Sequence, residues 1–536
     1  ANLPILYDGR TMPLDSFSKI IFEKISGGNI HDTNAFLANV IFEPENAIFH
    51  KVFVIKDAER FGLEAKQLYD FINVSKVISD NQETLDKLAA IPDKNLSIEQ
   101  KNLLELQNSY GLYNQLLRSM TALIPLNING KENPQTYLEL TIKNDDTVPP
   151  TPEAEILKIS ASNNIIFKAI PINFENNNFI TPWEALRGNE ITQENLLSLL
   201  QWQSAVIAYR EKDIEKWDKA VESLMSKSSM AVTSLEKKYN DWSLAQASFI
   251  LFCLSLFLLI LSEFIKKSFV TQLSFATLGL ASIAITTDVI LRIIITHRPP
   301  VGTLYESILF VTVITGLTAF LYSIRHINKT SLFIGSISGI ILLLIANAFV
   351  GIDSFSPLVA VLNTDFWLAT HVIIITAGYG FCILVSLYAH IVMWNQNYNK
   401  KNPPYKNMNV LVILSLLFVT VGTILGGLWA DQSWGRFWGW DPKENGAMLI
   451  ALWIIWLLHG KITKDMTTKY YMAGMAFLSV IVALAWFGVN LLSVGLHSYG
   501  FISGIALGLG SFCALETAII IYLLYFHSNL RKKRMS

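Results

Sequence analysis

The sequence predicts an all-α polytopic membrane protein of about nine transmembrane helices, preceded by a mainly helical domain outside the membrane. Three observations predict it. The 536 residues are 51% hydrophobic and only 16% charged, whereas soluble domains run near a quarter charged. The charge is unevenly divided: residues 1–242 carry 24 Lys and Arg against 33 Asp and Glu, and residues 243–536 carry 18 against 10. After residue 242 the chain becomes a series of apolar stretches near the roughly 20 residues that a bilayer requires. They fall near 243–265, 268–296, 304–324, 331–350, 372–394, 408–430, 446–460, 470–492 and 502–526.

The loops between these stretches test the count, because cytoplasmic loops gather Lys and Arg. One alternate set, with the C-terminal tail, holds 14 basic residues, among them Lys266, Lys267, Lys400, Lys401 and Arg531–Arg534. The other set holds three: Arg298, Arg436 and Lys443. A missed or extra span would scramble this alternation. The expected topology places the C-terminus in the cytoplasm and residues 1–242 outside it.

Residues 1–242 read as a mostly helical exported domain, with helical patterns near 14–26, 64–92, 98–122 and 194–240, the last running into the first span. Tyr137–Ile142 and Asn164–Ile172 are β-prone runs flanking the Pro-rich turn Pro149–Pro152. His31 and His50 lack metal-ligand spacing, and this half offers no other chemistry. The chain opens with Ala1 rather than Met, so a signal peptide has been removed or the chain is part of a longer polypeptide.

Cysteine usage excludes several functions. Cys253, Cys382 and Cys513 all lie in apolar stretches, with no CxxC or CxxCH. A zinc knuckle, a thioredoxin-like dithiol and a c-type heme attachment site are therefore excluded. No basic patch of the kind that binds nucleic acid occurs outside short loops and the tail.

The chemistry gathers on the outer side. The loop 429–445 holds Trp429, Trp434, Trp438 and Trp440 beside Arg436, Asp441, Lys443 and Glu444. An interfacial aromatic belt accounts for one or two tryptophans. Four of them interleaved with charges fit a flat, partly apolar ligand bearing carboxylates. His371 opens the fifth span, and His497 lies in the short outer loop before the ninth. Taken singly, each is an ordinary interfacial histidine. Together, at one depth beside an aromatic platform, they suit two-sided ligation of heme iron. His459 lies about thirteen residues below the expected outer end of the seventh span, roughly 20 Å down by helix rise. Ionisable groups at such depth are functional candidates. Glu516 and the pair Asp288/Arg292 belong to the same class, the pair reading as self-neutralising. His326, His390 and His527 sit at cytoplasmic helix ends among basic residues and read as solvated.

Trp434-Gly-Arg-Phe-Trp438-Gly-Trp440-Asp441-Pro-Lys443-Glu444 is similar to the tryptophan-rich "WWD" signature of membrane heme-handling proteins. Arg292–Ser307, Phe366–Val372 and Gly495–Gly500 resemble further segments of the CcsA type, the catalytic part of the CcsBA cytochrome c synthases. The resemblance covers roughly residues 270–526. The opening Asp8-Gly9-Arg10…Pro13-Leu14-Asp15 resembles some members.

The resemblance implies a bacterial inner-membrane protein that brings heme b across the membrane and holds it outside. There it promotes thioether attachment to the CxxCH cysteines of an apocytochrome c. His371 and His497 would be the external axial ligands. Trp434, Trp438, Trp440 and Asp441 would form the heme-binding and catalytic segment. His459 would belong to an inner heme site. Its family partner is a histidine of the CcsB part, for which His390 is a weak stand-in, so a separate CcsB-type subunit or an absent fused portion is implied. Arg436 and Lys443 suit heme propionates by charge alone. The alternative is a heme-delivery component that hands heme to a separate chaperone.

Overall fold

The computed structural model describes residues 1–56, 58–64, 68–92, 95–125, 136–142, 165–173, 178–187, 192–226, 231–349, 355, 364–395, 405–488 and 505–526. It divides into two compact units, Ala1–Asp241 and Trp242–Ser536.

The first unit opens with a hairpin. Strands β1 (Pro4–Tyr7) and β2 (Arg10–Pro13) pair antiparallel, with Tyr7 opposite Arg10. Asp8 and Gly9 both take positive φ, 51° and 74°, the backbone that a two-residue hairpin turn demands and that Asp-Gly tolerates. The helix Leu14–Ser26 follows and turns Phe17, Ile21, Phe22 and Ile25 into the core. Gly27 ends it in the left-handed conformation. The helix Ile98–Arg118 starts at a capping box between Ser97 and Gln100 and lays Tyr113, Leu116 and Leu117 against the same core.

Three expectations for this unit change. Tyr137–Ile142 is helical, not extended. Thr136 and Glu139 cap each other's backbone N–H at 3.2 Å, and Leu138 is buried, so cap and packing override β propensity. The pattern over 64–92 starts later, at Phe71, because Asp70 caps the N–H of Asn73 and Tyr69 pairs with Phe53. The pattern over 194–240 is three helices, Gln193–Glu211, Ile214–Ser226 and Ala231–Trp242. Lys212, at φ 57°, ends the first. Ile170–Asn173 is a strand, paired with Asn178–Ile180; Pro149–Pro152 lies outside the described residues.

The Asp8–Asp15 segment is a structural lock. Arg10 Nη1 lies 2.6 Å from Glu236 Oε2, and Ser16 Oγ donates to Glu236 Oε1 at 2.6 Å. Asp15 accepts from Lys19 Nζ at 2.8 Å and from Asn34 Nδ2 at 2.7 Å. Burial pushes the Asp15 carboxyl up, but these two donors outweigh it and hold the group below the usual carboxylate range.

The second unit is a polytopic helical membrane domain. Nine helices among the described residues are long and apolar enough to cross a bilayer. Numbered along the chain, span one is Leu244–Ile265, two Ser268–Thr296, three Leu304–Arg325, four Lys329–Asn347, five Leu368–Asn395, six Met408–Trp434, seven Pro442–Ile462, eight Thr468–Gly488 and nine Ala506–Tyr525. Spans one to four form one group. Five to eight form a ring in which six and eight separate five from seven, and nine packs on eight.

Lipid offers no hydrophobic drive between helices, so small residues and interhelical hydrogen bonds hold them. Ser255 and Ser274 each donate to the other's carbonyl at 2.8 Å, joining spans one and two. Gly339 accepts the Phe252 ring so closely that an added Cβ would lie 2.6 Å from it.

Arg292 is not neutralised by Asp288 alone, as a local pair would be. Its guanidinium reaches Glu306 Oε1 at 3.4 Å, while Arg298 reaches Glu306 Oε2 at 2.7 Å. All four side chains are buried. Glu306 also accepts the N–H groups of Gly302 and Thr303 at 2.9 and 3.2 Å. The cluster fixes the turn that leads into span three.

Candidate functional site

The ring of spans five to eight closes on a cleft at the ends that carry His371 and the tryptophan loop. About 1110 Å³ there is unoccupied by protein atoms, part of it open to solvent. Val301–Leu304, held by the Glu306 cluster, form one wall; His371, Trp429, Trp434, Trp438, Lys443 and Trp486 contribute to the rest.

His371 sits in a π-helical turn, Leu368–Val372, a local widening that often marks functional sites. Its Nδ1 lies 2.7 Å from the carbonyl oxygen of Gly422. A carbonyl only accepts, so Nδ1 carries the proton and the ring lone pair is on Nε2. Such a bond fixes the tautomer and orientation of a metal-ligating histidine. The approach needs glycine on span six. A Cβ at Gly426 would lie 2.6 Å from His371 Cε1, and one at Gly422 would lie 2.9 Å from the Ile375 backbone. The Trp429 ring meets the imidazole edge-on, with centroids 5.9 Å apart. Trp429 Nε1 is buried and has no hydrogen-bond partner among the described residues. A buried orphan donor in a cleft fits a ligand bearing an acceptor.

The loop after span six separates its tryptophans. Trp434 and Trp438 are half-buried and line the cleft. Trp440 does not line it and is 71% exposed. Asp441 is the N-cap of span seven: Pro442 takes the first helical position, and Asp441 and Glu444 form a capping box. Glu444 Oε2 accepts from both Gly439 N and Asp441 N, at 2.9 and 3.0 Å. Lys443 lines the cleft. Arg436 is exposed and packs its guanidinium near Gly439.

His459 is at the opposite end of span seven, 17 residues after Pro442, roughly 25 Å by helix rise. It is exposed, on the face that carries Leu452, Ile455 and Trp456. His390 is not placed to serve it. Its Nε2 lies 3.3 Å from Glu516 Oε1 on span nine, and its Nδ1 lies 2.8 Å from the Ser386 carbonyl oxygen. The reading of His390 as solvated changes accordingly: its side chain is only 17% exposed. His497 and His527 lie outside the described residues.

Sequence reasoning missed Tyr379, Trp486 and the glycines of span six. Tyr379 and Trp486 are buried cleft residues. Trp486 sits in a second π turn, Leu484–Gly488, and donates to Ser307 Oγ at 3.2 Å. The one signal for the glycines was the small-residue spacing Gly422-xxx-Gly426.

Fold and site together define a polytopic helical membrane protein with an imidazole- and indole-lined cleft. Residues 301–497 match the family described as Cytochrome C assembly protein. The CcsA cytochrome c biogenesis protein of Trieres chinensis is 31% identical over 317 residues, 49% of this chain and all of that protein. Protein NrfI of Wolinella succinogenes is 32% identical over 249 residues, 42% of this chain and 26% of NrfI. The chain belongs to the cytochrome c assembly protein family. The solved cytochrome c heme lyase CcmF overlaps 52% of this chain and 50% of its own at 18% identity, with a TM-score of 0.41, too distant to define the fold.

Proposed function

We propose that this protein is a cytochrome c synthase of heme lyase type, with heme b as its bound substrate. His371 and, from the sequence resemblance, His497 hold the iron from two sides. Trp434 and Trp438 flank the ring, and Lys443 pairs with a propionate. The observation that carries this reading is the His371–Gly422 bond, which fixes the orientation and tautomer of an imidazole that lines a tryptophan-bearing cleft. The acceptor is the CxxCH segment of an apocytochrome c. Each thiol adds across a heme vinyl: the C–S bond forms, the thiol proton goes to the neighbouring vinyl carbon, and no oxidant is consumed. The protein contributes proximity and orientation. On this reading the loop 429–445 and residues 1–242 face the periplasm from a bacterial inner membrane. His459 belongs to an inner heme station completed by a CcsB-type partner.

Co-expression with an apocytochrome c tests the reading. Covalent heme in the apocytochrome, lost with His371→Ala, is the expected result. Heme bound to this protein without covalent product favours delivery to a separate chaperone. Absence of both overturns the assignment of the cleft.

A further inference from the structure

The best-defined feature that the cleft does not absorb is Trp440. Its φ is 56°, in the left-handed region, where a Cβ crowds the backbone and only glycine sits without strain. Glycines stand on the same loop at 435 and 439, yet this position carries the bulkiest side chain.

The backbone is held on either side of it. Glu444 Oε2 takes the N–H groups of Gly439 and Asp441, on either side, and Asn445 Nδ2 donates to the Trp440 carbonyl at 3.0 Å. The effect is to turn the indole outward. One edge still meets Trp438, with centroids 6.3 Å apart and planes at 88°. Trp438 lines the cleft, so whatever rests on Trp440 is one ring away from it.

We infer that Trp440 is a rigid docking contact for the acceptor polypeptide rather than a wall of the heme cleft, and that Glu444 and Asn445 are the positioning residues that hold it there. The inference rests on the synthase reading. The setting favours a polypeptide over lipid. Asp431, Gln432, Ser433 and Arg436 on the same loop are exposed and polar, with Phe437 the other exposed apolar side chain there, and the strongly exposed apolar face of span seven begins only at Leu449. An exposed tryptophan held rigid among polar neighbours loses little entropy on binding, which is the character of an interface anchor. A segment presenting thiols beside Trp438 comes within reach of this ring.

The test uses the full chain with apocytochrome c whose CxxCH cysteines are changed to serine, so that capture is non-covalent. Trp440→Ala and Trp440→Gly are expected to keep heme content and absorption spectrum at the wild-type level. Capture of the apocytochrome should fall about tenfold, the scale of an anchor residue, and Trp440→Phe should restore part of it. Trp440→Gly also relieves the backbone, so it separates loss of the ring from misfolding. Asn445→Ala should weaken capture in the same direction, again with heme retained. Undiminished capture with heme retained overturns this inference alone. Heme loss in Trp440→Ala equal to that in Trp438→Ala overturns it in favour of a cleft wall. A wild-type protein without heme overturns the synthase reading and this inference together.

Discussion

His371 Nδ1 and the Gly422 carbonyl oxygen lie 2.7 Å apart across the packing of spans five and six. In a helix that carbonyl would ordinarily accept only from the residue one turn on, Gly426, whose missing side chain is what admits the imidazole. One glycine therefore accepts the ring's proton and the other makes room for the ring.

Gly426→Ala places a methyl group 2.6 Å from His371 Cε1 and 3.0 Å from Nδ1. The ring must move and the bond to Gly422 is lost. Outer-ligand partners of this kind are worth on the order of 10–100-fold in metal-site affinity. Heme content of the purified variant, read from its absorption spectrum, should fall on that scale. Gly427→Ala is the control. Its Cβ meets the Phe437 ring at 2.6 Å, but that ring is half-exposed and can swing outward, so the loss should be milder. Equal heme content in Gly426→Ala and wild type would remove the positioning role of span six.

The spans were legible because lipid imposes a length and an apolar composition that no other constraint overrides. The expected and observed spans agree within four residues; spans five and six run four residues further than expected at their ends beside the cleft, and so does span seven. It starts at Pro442 rather than near 446, because Asp441-Pro-Lys-Glu is a helix start with a capping box. His371, Trp434 and Trp438, singled out in the sequence, are brought together along one cleft. Trp440 and Asp441 were legible as a motif, but their different jobs, exposure and capping, depend on a backbone angle that composition does not encode. The hairpin at Asp8-Gly9 had a local turn signal that went unused. Trp486 and Tyr379 had none, since an aromatic in an apolar span looks alike whether it faces lipid or a cleft.

Glu306 is the shared carboxylate of Arg292 and Arg298, and all three are buried. Removing one member of such a group leaves charge uncompensated and costs about 3–5 kcal/mol. Glu306→Ala should therefore lower the thermal unfolding midpoint of the detergent-solubilised protein markedly. Because the same carboxylate holds Gly302 and Thr303 in the cleft wall, heme content should fall too. Glu306→Gln keeps acceptor capacity for those N–H groups and should lie between. A midpoint unchanged by Glu306→Ala would show that the cluster is not a structural anchor.

Asp15 sets a pH dependence for the first unit. Its folded-state pKa is held below the ordinary carboxylate value. The unfolded chain therefore takes up the proton first as pH falls. The stabilisation is fully present above the unfolded value, about 3.9, and is lost as pH drops through the lower folded value. Wild type should thus exceed Asp15→Asn in stability by a constant margin from pH 7 to about pH 5, and the margin should shrink at more acid pH. Tryptophan fluorescence during denaturant unfolding, repeated across pH, reads this margin. A margin that grows on acidification would reverse the sign and remove the Lys19 and Asn34 contacts as its cause.

His459 and His371 lie toward opposite ends of the membrane spans. His459 is roughly 25 Å along span seven from the end that bears the tryptophan loop, while His371 lines the cleft beside that loop. A single heme iron cannot be ligated at both places, so on the proposed reading they serve successive stations. His459 faces outward from span seven, as expected of a ligand completed by another polypeptide. The two positions should fail differently. His459→Gly should starve the outer site, giving low total heme without a changed outer ligand signature. His371→Gly should still receive heme but hold it loosely and oxidise it readily. Added imidazole fills a vacant axial position without needing a tether, so it should restore product for His371→Gly. It should do little for His459→Gly, where the ligand must enter the bilayer region. Absorption spectra of the two variants with and without imidazole, alongside the yield of covalent cytochrome, decide the matter. Full outer heme in His459→Gly would remove the inner station and leave His459 as a residue of the helix surface.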